Sequence, residues 1–145
     1  MGKTFTLIEA QTLLPVLEGL VLRAQRAAVR GAELEVEMEE LNRRIFLSGG
    51  LRVDVRSAAR RRAERDKAVQ DVGATVGEIE EIGAKVHALQ AGLLDLPCAV
   101  EGGVVMLCWR AGETAIDYWH EESEAPADRR PLDWRFGRGE RERLN

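Results

Sequence analysis

The chain is poor in aromatic residues and cysteine, and it has no long uninterrupted apolar segment. Aromatic side chains make up 5% of the 145 residues, so a hydrophobic core has to be built mainly from aliphatic residues, which suits packing between helices. Two cysteines, Cys98 and Cys108, are too few for a disulfide framework. No apolar run approaches the roughly 18 residues that span a bilayer, and the amino terminus lacks a signal pattern. We therefore expect a cytoplasmic protein with no membrane partner.

The charge balance gives no indication of a nucleic-acid partner. Charged residues make up 32% of the chain and the formal net charge is -4, whereas binding to a phosphate backbone needs a basic face. The basic segment 56–65 offers the best case for such a face, and we rank this hypothesis last because nucleic acid is an unlikely partner for an acidic chain. With 145 residues, the chain is expected to form a single domain over residues 1–145.

The first half of the sequence predicts a helical hairpin over residues 5–83. Thr6 and Glu9 have the spacing of a capping box, which predicts that a helix begins near Leu7. Pro15 falls inside this helix, where it removes a backbone hydrogen bond and crowds the preceding turn. We expect a kink there, or a short first helix followed by a restart.

Apolar and small residues then recur at three- and four-residue steps from Leu17 to Ile45, and Ser-Gly-Gly at 48–50 predicts the end of the helix. A second helix is predicted from about Val55 to Ile82, and Gly83 is a plausible carboxyl-terminal cap. The predicted seam of this second helix comprises Val55, Ala59, Ala63, Val69, Val72, Val76, Ile79 and Ile82.

A short loop makes the two helices antiparallel neighbours. Acidic residues within 33–40 then face basic residues within 60–67, which predicts a solvated ionic zipper more readily than a binding site. Leu22, Val29 and Val36 recur every seven residues on the face opposite the main seam. Lone exposed apolar residues are common. Because two helices and one small sheet give a thin core, we expect this line to be the interface of a homodimer.

The sequence period changes from that of a helix to that of a strand after Gly83. Residues 85–89, 93–97, 104–110 and 115–120 predict an antiparallel β-meander of three to four strands within residues 84–122, followed by a carboxyl-terminal tail over 123–145. Gly112 and Glu113 have the composition of a two-residue hairpin turn.

Simple hairpin register sorts the strand residues onto two faces. Cys108 falls opposite Asp117, and Asp95 falls opposite His87 and Met106. The apolar face, which should cover the helices, comprises Leu94, Leu96, Val105, Leu107, Trp109, Ile116 and Tyr118, with His120 at its rim. The candidate ligand or partner face comprises His87, Asp95, Cys108, Arg110, Asp117 and Trp119, with Glu113, His120, Arg129 and Arg130 nearby.

The polar residues of this region also fit a small enzyme or a metal-binding protein. Asp95, Cys108, Glu113, Asp117 and His120 supply the thiolate, imidazole and carboxylate groups that bind transition metals. The sequence has neither Cys-x-x-Cys nor His-x-x-x-His, and His120 is expected to point to the other face. Ordinary cross-strand pairing is therefore the simpler interpretation.

Two further arrangements remain open. Cys108, His87 and Asp95 share the mixed face, but Asp95 would separate the histidine from the thiol, so a nucleophilic site is the weaker hypothesis. Arg129 and Arg130 could clamp an anionic ligand, or one of them could pair with a sheet carboxylate and pin the tail. Trp134 of the tail could dock within the chain or against a second copy of it, if the tail is ordered.

Short motifs along nearly the whole chain resemble one known family. They are Phe5-Thr6, Glu9-Ala10, Leu13-Leu14-Pro15, Gly92-Leu93-Leu94-Asp95-Leu96-Pro97, Leu107-Cys108-Trp109-Arg110, Gly112-Glu113, Trp119-His120 and Arg129-Arg130-Pro131-Leu132. On these motifs the chain resembles an uncharacterised bacterial family, domain of unknown function 2203. It departs from the family pattern at His87-Ala88, where the family usually has Lys-Asp. The resemblance implies an intact family domain and implies no activity.

Together these patterns predict an α+β fold: a long antiparallel helical hairpin that resembles a coiled coil, followed by a small antiparallel β-meander. The leading functional hypothesis is a homodimeric interaction or scaffold module whose mixed sheet face receives a protein or a small ligand. The alternative is the small enzyme or metal-binding protein described above. The sequence does not name a substrate, a metal or a cofactor.

Overall fold

The computed structural model, which describes residues 3–49 and 55–136, has two long helices followed by an antiparallel sheet. Helix α1 spans Leu7–Leu47 and helix α2 spans Val55–Ile82. The strands are β1 (Lys85–Ala88), β2 (Leu93–Val100), β3 (Gly103–Arg110), β4 (Tyr118–Glu121) and β5 (Arg130–Pro131), and they pair in chain order. The predicted α+β fold is confirmed, with five strands where three to four were expected. Within the described residues, no helix is long and apolar enough to cross a membrane.

The chain divides into two compact units. One unit comprises Met1–Val21 and Val76–Asn145, which contain the sheet, the start of α1 and the end of α2. The other comprises Leu22–Thr75 and contains the remaining part of the helical hairpin. The single domain expected from the length of the chain stays a prediction.

The first helix begins where the capping box predicts. The Thr6 N–H donates to Glu9 Oε1 at 2.8 Å, and the Glu9 N–H donates to Thr6 Oγ1 at 3.1 Å. The helix then continues through Pro15, so the expected restart does not occur. An interior proline costs about 3 kcal/mol, and the burial of Leu14 and Leu17 on either side contributes roughly 1.5–3 kcal/mol each.

The core of the unit that contains the sheet forms between one sheet face and the helices. The helices contribute Ala10, Leu14, Leu17, Val21 and Ile79, and the sheet contributes Leu94, Leu96, Val105, Leu107 and Trp109. The predicted apolar face is thus confirmed for β2 and β3. It is wrong for β4, because Trp119 joins this core while Tyr118, which was assigned to it, does not.

Within the unit Leu22–Thr75, the two helices pack along the predicted seam of α1 and along a different line of α2. Leu34 and Ala68 are buried, whereas Val55 and Val69 of the predicted α2 seam are 69% and 61% exposed. Arg65 occupies part of the true seam, because a long aliphatic stem can cover apolar surface while the charged end stays in water.

Ion pairs join the two helices within this unit; the Arg65–Glu35 pair is of the predicted kind, whereas the Arg30–Glu64 pair has the opposite polarity, with the base on α1. Arg30 Nη2 lies 3.0 Å from Glu64 Oε2, and Arg65 Nη1 lies 3.0 Å from Glu35 Oε2. Both pairs are partly exposed, so each contributes at most about 1 kcal/mol. They fix the register of the hairpin more than they stabilise it.

An added methyl group should have opposite effects on stability at two glycines of the sheet-containing unit. At Gly77 in α2, an added Cβ meets nothing within 4 Å, so Gly77→Ala should raise the free energy of unfolding by about 1 kcal/mol through helix propensity. At Gly83, φ is +117° and an added Cβ lies 2.8 Å from the Phe5 ring, so Gly83→Ala should lower it. Urea denaturation followed by circular dichroism measures both. A loss of stability in Gly77→Ala would contradict the packing described.

Candidate metal centre

Three neighbouring strands bring polar side chains to the sheet face opposite the core. Asp95 of β2 pairs with Cys108 of β3, and Cys108 pairs in turn with Tyr118 of β4. Met106 of β3 pairs with His120 of β4. Residues paired directly across an antiparallel sheet point to the same face, and so do residues two apart along a strand. Asp95, Cys108 and His120 therefore share one face.

This register corrects the predicted one. Between β2 and β3 the observed pairing differs from the predicted pairing by two residues, which leaves Asp95 and Cys108 on a common face as expected. Between β3 and β4 it differs by one residue, which exchanges the two faces of β4. His120 consequently enters the polar face and Trp119 turns to the core, whereas Asp117 lies before β4 and is exposed.

The connection between β3 and β4 causes this odd shift. Glu113 Oε1 accepts a hydrogen bond from the Arg110 N–H at 2.8 Å, and the Glu113 carbonyl accepts one from the Trp109 indole at 2.9 Å. After this turn the chain does not pair with β3 at once: Ile116 is buried, its N–H donates to Gln11 Oε1 at 3.4 Å, and β4 begins only at Tyr118. The expected two-residue hairpin is therefore replaced by the longer connection 111–117.

Asp95, Cys108 and His120 form a compact buried cluster, which we call the Asp-Cys-His cluster. Their exposures are 4%, 0% and 2%. One potential ligand atom of each residue lies within 4.8 Å of the other two. Asp95 Oδ1 is 2.9 Å from His120 Nε2, and Asp95 Oδ2 is 3.9 Å from Nδ1 of the half-exposed His87.

The hydrogen bonds of His120 determine what the cluster can hold. Its Nδ1 lies 2.7 Å from the Glu121 carbonyl oxygen, which can only accept, so Nδ1 must carry a proton. In a neutral ring Nε2 is then a lone-pair acceptor, yet it faces the Asp95 carboxylate at 2.9 Å. Two acceptors at this distance need a proton or a metal ion between them. The geometry of the buried pair is therefore that of a hydrogen bond through a shared proton, or that of two ligands of one metal ion.

The same bonds argue against the nucleophilic hypothesis. Both ring nitrogens of His120 already have partners, and His87 is separated from the thiol by Asp95, as the sequence predicted. Burial raises the pKa of the Cys108 thiol, and the hydrogen bond from Arg129 opposes that rise only in part. A catalytic cysteine needs a base within reach and a stabilised thiolate. The described residues provide neither for Cys108.

Arg129 and Glu113 border the cluster. The Arg129 guanidinium lies over the Tyr118 ring at 4.1 Å from its centroid, and its Nη1 is 4.0 Å from Cys108 Sγ. The same nitrogen is 3.9 Å from Glu113 Oε1, a long ion pair of the kind that one of the two alternatives for the tail arginines describes. Arg110 is two residues from Cys108 along β3, so it shares the face of the cluster, and it is exposed.

The beginning of the tail docks on the core side of the sheet and not on the cluster. Phe136 is buried with its ring centroid 5.8 Å from that of Trp119, whereas Trp134 is 70% exposed and does not dock within the chain, so its docking against a second copy stays a prediction. Arg130 lies over Trp119 and bonds Glu124. The assignment of Trp119 and Arg130 to the ligand face is therefore wrong. Residues 137–145 of the tail lie outside the described residues.

His120 was named as a candidate but was placed on the wrong face, and Tyr118 was missed. A stronger signal lay in the pair Trp119-His120. A tryptophan buries more apolar surface than a tyrosine or a histidine does. A strand phase chosen to bury Trp119 beside Trp109 would have moved Tyr118 and His120 together to the polar face.

The fold and the site define an α+β protein whose sheet carries a buried Asp-Cys-His cluster on the face away from its helices. A family model described as "Uncharacterized conserved protein (DUF2203)" matches residues 3–132. The chain belongs to this family. Neither a curated protein nor a solved structure matches the chain. The bacterial origin expected from the resemblance stays a prediction.

Substitution of Asp95 in metal-free buffer tests whether the hydrogen bond to Nε2 of His120 stabilises the protein. In Asp95→Asn the amide N–H can donate to Nε2 of a neutral His120, so stability should stay within about 1 kcal/mol of wild type. In Asp95→Leu the buried Nε2 loses its partner, which should cost about 1–3 kcal/mol beyond the Asn variant. Chemical denaturation at pH 7 with a chelator present measures both. Equal losses of unfolding free energy in the two variants would show that the hydrogen bond of Nε2 does not stabilise the protein.

Proposed function

We propose that the protein binds a transition metal ion, with zinc as the first candidate, through Asp95 Oδ1, Cys108 Sγ and His120 Nε2. The observation that carries this proposal is the Asp-Cys-His cluster, whose ligand atoms lie within 4.8 Å of one another and are buried. Thiolate, imidazole and carboxylate together are the ligand set that zinc accepts. Magnesium and calcium, which prefer oxygen ligands alone, fit it poorly.

The distances of the cluster are close to those of a zinc site. Zinc bonds of about 2.1 Å to nitrogen and oxygen in a tetrahedral site place those two atoms roughly 3.4 Å apart. The 2.9 Å between His120 Nε2 and Asp95 Oδ1 would therefore have to open by about half an ångström. The sulfur would lie about 3.6 Å from each of them, against an upper limit of 4.8 Å. Small side-chain adjustments would bring the three ligand atoms to the distances of a zinc site.

The surroundings of His120 support metal binding independently. Metal-bound histidines usually donate their second ring N–H to a carbonyl or a carboxylate, which fixes the tautomer and aims the other nitrogen at the metal. The bond from Nδ1 to the Glu121 carbonyl is of this kind, and it leaves Nε2 facing Asp95. His87 lies near the second oxygen of Asp95, where it would orient the carboxylate.

Three protein ligands leave one coordination position for water or for a small molecule. Zinc sites in enzymes have this arrangement, whereas structural zinc sites usually have four protein ligands. The alternative of a small enzyme thus remains within the proposal, with Asp95, Cys108 and His120 as the residues that would act. We also propose the cytoplasm as its location, because a thiol ligand persists in a reducing compartment.

Metal binding is tested on protein purified without a tag, titrated with Zn²⁺ against a chromophoric chelator and with Co²⁺ followed by absorption. We expect one metal ion per chain and a sulfur-to-cobalt charge-transfer band. Cys108→Ala should abolish that band and weaken zinc binding by more than about 100-fold, the upper range for loss of an outer partner. Cys98→Ala is the matched control, because Cys98 is equally buried but lies outside the cluster. Equal affinities in the two variants would end the proposal.

Zinc affinity should rise with pH. Burial raises the pKa of Cys108 above its ordinary value of 9.0, so the free protein holds the thiol protonated at neutral pH, and zinc must displace that proton. Binding near pH 7 should therefore release the thiol proton, and Cys108→Ala should release one proton fewer than the wild type. The dependence of the calorimetric enthalpy on buffer ionisation measures this number. Binding without proton release would contradict the assigned ligands.

A second candidate function, self-association through α1, is favoured by exposed apolar residues. Leu22, Val29 and Val36 are 41%, 58% and 56% exposed and recur every seven residues. A shallow groove along this line is bordered by Arg26 and Glu33. If two copies pair antiparallel about Val29, Arg26 of one copy lies beside Glu33 of the other, which favours that orientation. The line thus fits a homodimer in which the hairpin acts as a scaffold.

Light scattering at several concentrations tests this dimer. We expect a dimeric wild type and a monomeric Val29→Asp, because two charges would meet at the centre of an apolar interface. Val69→Asp is the matched control, since Val69 is 61% exposed on α2 and should leave the dimer intact. A monomeric wild type would rule out the dimer.

A further inference from the structure

The guanidinium of Arg129 is held in a fixed position beside the Asp-Cys-His cluster. Its Nη1 lies 4.0 Å from Cys108 Sγ, and the group stacks on the Tyr118 ring at 4.1 Å. The side chain is 24% exposed, so about three-quarters of its surface is covered. A flexible surface arginine would not be restrained from two sides in this way.

The hydrogen-bonding capacity of Arg129 is largely unused. Within residues 3–49 and 55–136, its guanidinium hydrogen-bonds only to the sulfur of Cys108, and Glu113 Oε1 is too distant at 3.9 Å for a hydrogen bond. That oxygen already accepts from the Arg110 N–H. Arg130 differs from Arg129, because it bonds both carboxylate oxygens of Glu124.

We propose that Arg129 anchors a small carboxylate that occupies the open coordination position of the metal, an inference that rests on the proposed metal site. One oxygen of the ligand would bind the metal and the other would accept from the guanidinium, whose planar N–H groups match a carboxylate. The ligand class is therefore a small organic acid with one carboxylate near the metal.

The charges around the proposed site favour a monoanionic ligand over a dianionic one. Zinc with the carboxylate of Asp95 and the thiolate of Cys108 is neutral, so the attraction for an incoming anion comes from Arg129. The Glu113 carboxylate, 3.9 Å from the guanidinium, opposes a phosphate dianion more strongly than a carboxylate. Affinity for the ligand should therefore depend on the charge and on the planar shape of the residue at position 129.

The experiment uses the cobalt-loaded full chain titrated with sodium acetate at constant ionic strength, followed through the cobalt absorption bands. We expect acetate to change these bands in the wild type, and Arg129→Gln to weaken acetate binding about 10-fold or more. Arg129→Lys, which keeps the charge but loses the planar donors, should fall between them. Arg110→Gln is the control, because Arg110 is exposed and lies on the same strand as Cys108. Inorganic phosphate should bind more weakly than acetate.

The outcomes separate the two proposals. If cobalt binds and acetate leaves its spectrum unchanged, or if acetate binds wild type and Arg129→Gln equally well, the carboxylate site is wrong and the metal site stands. If cobalt does not bind the wild type, both proposals fail. Cobalt affinity itself should stay within a few-fold in Arg129→Gln, which distinguishes loss of the anion anchor from loss of the metal. A circular dichroism spectrum checks that each variant is folded.

Discussion

Two hydrogen-bond acceptors, His120 Nε2 and Asp95 Oδ1, meet at 2.9 Å at the buried centre of one sheet face, and the polar face is arranged around this contact. The Glu121 carbonyl commits Nδ1 of His120 to a donor role, which leaves Nε2 facing the Asp95 carboxylate. A polar pair this well buried is costly unless it is satisfied. A shared proton satisfies both atoms as a hydrogen bond, and a metal ion bound to both would satisfy them equally.

The fold isolates this cluster from the core that stabilises it. The opposite face of the same strands carries Leu94, Leu96 and Leu107, which pack with the helices. Because successive residues of a strand alternate between faces, one rigid sheet holds both the aliphatic core and the polar cluster. Arg129 and Tyr118 cover the cluster from the other side. The ligand atoms are therefore positioned by backbone pairing and need no flexible loop.

The sequence predicted elements better than it predicted faces. Capping at Thr6 and the period of α1 are local signals, and both are confirmed. The shift of two between β2 and β3 was harmless, since an even shift preserves faces. The shift of one residue between β3 and β4 did exchange the two faces of β4. It goes with the long connection 111–117, in which the Ile116 N–H contacts the distant Gln11. No local pattern reports such a contact, so His120 was assigned to the wrong face.

The proline of β2 has a consequence for how the molecule meets its neighbours in solution. Strand β1 pairs with β2 only as far as Asp95, so the stretch from Leu96 onward has an open side. The Pro97 carbonyl points to that side, where it accepts from the Phe5 N–H at 2.8 Å, and Phe5 forms a parallel bridge with Cys98. The nitrogen of Pro97 faces the same way and has no hydrogen to offer. An invading strand from another molecule therefore finds no continuous ladder along this stretch of β2, which removes one place where strands of two molecules could pair.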